Sequence, residues 1–364
     1  LDQFEAGHPG VRVVIDSYSG FMPPTPTFSD IDSYLEDFAE YATSADVLPV
    51  DSALNSYATR AGYLLNLAPI VSGDSDINPA DFRQALWDSF RWDGGMWAFP
   101  LSGSISTLFY DPAAFDSAGL TYPDENWTID DLANAIRALT TYDDAGNVET
   151  PGFLNVGFSE NALATLLVSL MGNGLYDATN IPNTPDFSDP HLADLLTTWA
   201  DLQADGMLDT PAGDLSDISL PLVLGGTFLS AGFSDDGTTR EPALLPGGHV
   251  GMDVSGYAIS SGSQHPEIAY ELFKFLSNDS SAVNTFFGST PARYALDSTD
   301  DSEVSSGGLT FSFAGAGDNP ELTAFVQSAI EQAIPLSELR FTEAIAEAFQ
   351  AMTNDGLDVT TALQ

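Results

Sequence analysis

The sequence predicts an α/β protein with two domains. Segments of helical period alternate with short β-branched runs along the whole chain, a pattern that points to mostly parallel sheets covered by helices. The 364 residues leave room for two domains of ordinary size, and 43% of them are hydrophobic, enough to give each its own core. No run of 18 or more apolar residues occurs, and Ala162 to Met171 is too short to cross a bilayer.

Taken in order, Val11 to Ile15 is a β-branched run after the turn His8-Pro9-Gly10, and so a strand. Ile31 to Tyr41 spaces Ile31, Tyr34, Leu35 and Phe38 on one helical face with acids on the other. Asp46 to Val50 reads as a short buried strand, 73 to 79 as a loop and Asp81 to Phe90 as a helix. Arg91 to Pro100 is two apolar arms around Asp93-Gly94, a strong hairpin signal. A second unit begins near Leu108-Phe109-Tyr110, where Asp111-Pro112 starts a helix and Thr128 caps the next. Helices follow at Asn161 to Leu170 and Leu192 to Leu202, then a strand at Thr227 to Gly232 and a polar loop at 235 to 248. Gly256 to Ser260 leads into a helix from His265 to Leu276, and helices at Glu321 to Ala333 and Phe341 to Met352 close the chain.

Nine basic residues face 53 acidic ones, a formal net charge of -44. Charged residues are nevertheless only 17% of the chain, below the roughly 25% of average proteins, so the imbalance comes mainly from missing bases. Lys274 is the sole lysine, and the eight arginines are spread from Arg12 to Arg340, so no basic stripe exists for nucleic acid or an anionic membrane. High-salt adaptation stays open: such surfaces usually gain acids as well as lose lysine, whereas here mostly the bases have gone. The absence of cysteine removes disulfides, thiolate nucleophiles and zinc-cysteine sites. His8, His191, His249 and His265 show no metal or triad spacing, and Asp74 to Asn78 starts like a calcium loop but has Pro79 and Ala85 where glycine and glutamate belong. No nucleophile elbow, P-loop or dinucleotide fingerprint occurs. Carboxylate pairs suited to glycoside hydrolysis arise by chance among 53 acids and carry no information.

Nine short motifs then recur in one order: Phe4-Glu5 with His8 to Val13, Ser44 to Val47, Gly94 to Pro100, Leu108 to Leu120, Asn126 to Leu132, Gly256 to Ser260, His265 to Ala269, Phe273 to Ser277 and Thr290 to Arg293. In these the chain resembles the extracellular solute-binding proteins of ABC importers, specifically their maltose-binding-like, sugar-binding group. The resemblance implies a two-lobed periplasmic-binding-protein-like fold whose crossing strands form a hinge, with ligand trapped in the cleft when the lobes close. It divides the chain into a first lobe of 1–108 and 257–291 and a second of 109–256 and 292–364, with crossings near Leu108 to Tyr110, Gly256 to Ile259 and Pro291 to Tyr294. That family starts with a strand and most of a helix before the segment matching Phe4 to Val13. The natural chain is therefore expected to be longer, with an upstream strand and a secretion or lipoprotein signal.

The implied function is extracytoplasmic binding of a neutral sugar or oligosaccharide and its delivery to a membrane permease by a monomer, without catalysis, cofactor or metal. Asp51 and Ser52 follow a strand at the carboxyl end where α/β crevices bind ligands, although an aspartate there can also cap a turn. Trp97 on the hairpin and Phe233 at a strand end offer flat faces to a sugar, or else pack in a core. Ser104, Asp253 and Ser255 adjoin the crossings, and Asn161 can bond a ligand or its own helix start. Arg293 borders the cleft as a ligand contact or an interlobe ion pair. A cationic ligand such as a polyamine, a carbohydrate-active hydrolase and a sensory rather than transport role are the competing readings. The charge is expected to oppose lobe closure modestly, with salt easing it.

Overall fold

The computed structural model describes residues 1–15, 23–26, 29–156, 162–172, 187–208, 220–226, 240–279, 283, 289–296, 303–306, 309–312, 320–336 and 340–364. The first lobe opens with α1 (Asp2–Gly7), α2 (Ile31–Ser44), β1 (Val47–Asp51), α3 (Ser56–Arg60), α4 (Ala68–Gly73) and α5 (Gln84–Asp88). The hairpin of β2 (Arg91–Trp92) and β3 (Gly95–Met96) forms at Asp93-Gly94, both with positive φ, as its sequence requires. β4 (Phe99–Tyr110) then runs on into the second lobe.

That lobe holds α6 (Pro112–Ala118), α7 (Ile129–Leu139), the hairpin β5 (Thr141–Tyr142) with β6 (Val148–Thr150), β7 (Leu154–Val156), α8 (Ala162–Met171), α9 (Pro190–Ala204), β8 (Leu222–Gly226) and β9 (Glu241–Ala243). Thr128 and Asp131 close a full capping box on α7, as the acids after Thr128 imply. The chain returns through β10 (Gly251–Ile259), α10 (Pro266–Leu276) and β11 (Thr290–Pro291). It ends with β12 (Glu303–Ser306), β13 (Leu309–Ser312), α11 (Pro320–Glu331), β14 (Ile334–Pro335), α12 (Arg340–Asp355) and α13 (Val359–Ala362).

Two sheets share β4. Its first half lies between β10 and β11, with β1 outside β10, and its second half pairs with β8 and β9, with β7 outside β8. The α/β class and the two lobes are as expected, but the sheets are not mostly parallel. Among the described residues only β7 with β8 and β10 with β14 run parallel. β4, which passes between the lobes, and β10, which follows the return, travel in opposite directions and so pair antiparallel.

The cores locate the passages. Ile105 packs in the first core and Leu108 in the second, so the outward passage is at 106–107. Leu245 belongs to the second core while Val250, Met252 and Val254 belong to the first. The return therefore lies at 246–249, upstream of the expected Gly256 to Ile259. Gly247 and Gly248 both have positive φ there, and a Cβ on Gly247 would meet the Ser169 carbonyl oxygen at 2.4 Å. The segment after Arg293 touches both lobes in turn: on α11 Leu322 packs with Phe109, Leu154 and Val223 of the second lobe's strands, Ala329, Ile330 and Ala333 join the first core, and Ile345 joins the second. Arg83 pins this segment, donating to the Pro291 carbonyl at 2.6 Å with Glu331 of α11 3.6 Å from its Nε.

Val11 to Ile15 does not form a strand, and Val14 and Ile15 are exposed. β propensity cannot order a strand whose backbone groups lack a ladder, and no described strand pairs with these residues. The loop expected at 235 to 248 contains β9, which pairs with Leu108, Phe109 and Tyr110 of β4. The strand expected at Thr227 to Gly232 lies outside the described residues.

Candidate functional site

Beside the passages, three strands present one polar face. On β10 Met252 and Val254 point into the core, so alternation turns Asp253 and Ser255 to the other side. The register sets Asp253 opposite Ser104 and Ser255 opposite Ser102 on β4, and Asp51 of β1 opposite Ser255 from the other flank. Cross-strand partners share a face, so Asp51, Ser255 and Ser102 form one row and Asp253 with Ser104 the next. Leu48 and Val50 of β1 are buried in the core behind them.

Hydrogen bonds fix the arrangement. The Ser102 and Ser255 hydroxyls are 2.8 Å apart. Ser52 is buried just past β1, and its hydroxyl accepts from the Val254 N–H at 2.9 Å while also bonding the Asp253 carboxylate. Asp51 accepts from the Ala53 N–H at 2.8 Å, which closes the turn after β1. Asp51 thus serves as a turn residue and as a wall of the face at once.

The two carboxylates are electrostatically unusual. Burial pushes Asp51 up to about 6, and the nearby Asp253 charge adds to the shift. Burial also raises Asp253, a residue that still meets solvent. Burial likewise raises Tyr257. Two half-desolvated acceptors beside three serine hydroxyls can take hydrogen bonds from, and give them to, a polyhydroxylated molecule.

Of the expected site residues, Asp51, Ser52, Ser104, Asp253 and Ser255 come together here. Asn161 and Phe233 lie outside the described residues. Trp97 belongs to the hairpin: its indole N–H donates to the Trp92 carbonyl at 3.1 Å, and its ring occupies the space a Cβ on Gly95 would need. Arg293 is buried with its guanidinium 4.3 Å over the Phe82 ring, and no described carboxylate of either lobe pairs with it. The desolvation there lowers its pKa. Ser102 was missed by sequence reasoning, because only the register places it on the face.

Asp74, at the start of the calcium-like loop, pairs with Lys274 at 2.8 Å and accepts from the Tyr270 hydroxyl, so it ties loop to helix. Among the described residues no cluster of three or more acids or histidines is placed to hold a metal ion, and no helix is long and apolar enough to cross a membrane.

Comparison with known proteins agrees with this architecture. No curated protein sequence is similar enough to count as a relative. Among solved structures, CpMnBP1 with mannobiose bound superposes with a TM-score of 0.71 at 16% identity, covering 100% of this chain and 92% of that one. The substrate-binding protein Lmo0181 of Listeria monocytogenes in complex with cycloalternan gives 0.67 at 16%, covering 100% and 91%. UgpB of Mycobacterium tuberculosis in complex with glycerophosphocholine gives 0.66 at 16%, covering 100% and 90%. The family model of bacterial extracellular solute-binding proteins matches residues 1–283, and the chain belongs to that family.

Proposed function

We propose that the chain binds a neutral oligosaccharide against the Asp51, Ser102, Ser104, Asp253 and Ser255 face and closes its lobes over it. The closed form is handed to the membrane permease of an ABC importer outside the cytoplasm, by a monomer that performs no chemistry on its cargo. The observation that carries this reading is the composition of the face: hydroxyls and two carboxylates, with no base among its described residues. A phosphodiester such as glycerophosphocholine wants Arg or Lys beside it, whereas sugar hydroxyls are served by acceptors and serines. Two of the three structural neighbours described hold oligosaccharides, which supports the same class.

Isothermal titration with a panel of neutral oligosaccharides, mannobiose and maltotriose among them, tests it, with small-angle scattering of the same samples. Heat and compaction are expected for at least one member, with no product formed. Silence across the panel together with binding of a polyamine that collapses in salt would replace the sugar by a cation.

A further inference from the structure

We propose that the folded state of this protein is completed by molar salt, which screens rows of like charge that its helices leave uncompensated. The mean charge does not require this. The 44 net negative charges are spread over 17710 Å² of surface, on the order of one per 400 Å² or roughly 20 Å apart. That spacing exceeds the ~8 Å screening length of physiological salt.

The local pattern is different. On α2, Asp32, Glu36 and Glu40 follow one another at four-residue intervals with Asp37 alongside, all exposed. Such neighbours stand roughly 5–6 Å apart at their Cβ atoms, inside the ~8 Å length at 0.15 M but beyond the ~3 Å length at 1 M. The helix ends repeat the conflict. α2, α9 and α12 have no base in the last turn, and exposed Asp201, followed by Asp205, and Asp355 sit at the negative ends of α9 and α12. None of these acids has an ion pair among the described residues.

The surviving bases supply an independent observation. Arg83 and Arg293 are buried, and Lys274, Arg91 and Arg240 are half-buried, each engaged with a carbonyl, an acid or a ring. Only Arg12, Arg60 and Arg137 are exposed among the described residues. Most of the described bases persist where packing uses them, and of the three on the surface only Arg60 pairs with an acid, Asp93, so none serves the acid rows. Screening by mobile cations replaces what such pairs would have done.

Thermal unfolding of the full chain in 0.15 M and 2 M KCl tests the proposal, beside 0.15 M KCl with sucrose at matching osmolality. KCl should raise the midpoint on the order of 10 °C, and sucrose should not reproduce the gain. Glu36→Lys, Glu40→Lys, Asp201→Lys and Asp355→Lys combined should raise the low-salt midpoint and shrink the salt gain. If that chain does not fold, the same four sites changed to Gln or Asn give the readout. Equal midpoints at the two salt levels, an equal gain from sucrose, or a full salt gain retained in the variants would each overturn it.

Discussion

At the scale of single residues, Asp51 joins two demands that conflict. Its backbone turn and its place in the polar face hold it among protein atoms, and that burial raises its pKa from 3.8 to about 6. Because the folded state then binds a proton that the unfolded state has released, this residue's contribution is greatest below pH 4 and is lost as pH rises to 6. Asp51→Asn should therefore raise stability at pH 7.5 by on the order of 2 kcal/mol and flatten the pH dependence between 4 and 6. Denaturant melts at pH 4, 5, 6 and 7.5 check this, and a variant less stable than the parent at pH 7.5 would refute the assignment. The same substitution should weaken sugar binding, since it removes an acceptor. Ser255→Ala separates the roles: loss of about 1 kcal/mol in binding, a five- to tenfold rise in Kd, is expected with little change in stability.

At the scale of elements, the face depends on an irregularity. The β4–β10 register shifts between Ser255 and Gly256, and a Cβ on Gly256 would meet the Phe99 carbonyl oxygen at 2.6 Å and the Phe90 ring at 2.8 Å. The glycine lets the strands approach closely enough for the bulge, and the bulge aims Ser255 at Ser102. Gly256→Ala should cost about 2–3 kcal/mol of stability and impair binding as well. Urea unfolding beside titration calorimetry reads both, and loss of binding without loss of stability would sever the proposed link. This bulge was not legible in the sequence, because it belongs to a pairing between residues about 150 positions apart. The α7 cap and the Asp93-Gly94 hairpin were legible, since each is satisfied by neighbours within a few residues.

At the scale of the whole molecule, the proposed function has two acidic lobes approach each other to enclose a ligand. Their repulsion opposes closure, so affinity for a neutral oligosaccharide should rise severalfold between 0.05 and 1 M KCl. A cationic ligand would show the opposite slope, as its attraction is screened. Titrations across that salt range decide between the two signs. The passages at 106–107 and 246–249 lie beside the face, which is where the proposed closure hinges.

The sequence by itself determined the α/β class, the order of most elements and the family resemblance, and it named four residues of the face, because these rest on periodicity, local capping and motifs read along the chain. The tertiary structure decided the antiparallel pairing of β4 with β10, the place of the return at 246–249 and the allegiance of Ala329 to Ala333 to the first core. It also separated Trp97 and Arg293 from the residues that share the face, and added Ser102. The physical reason is common to all of these: register and packing join residues far apart in the chain, and a side chain's role follows from what its strand pairs with.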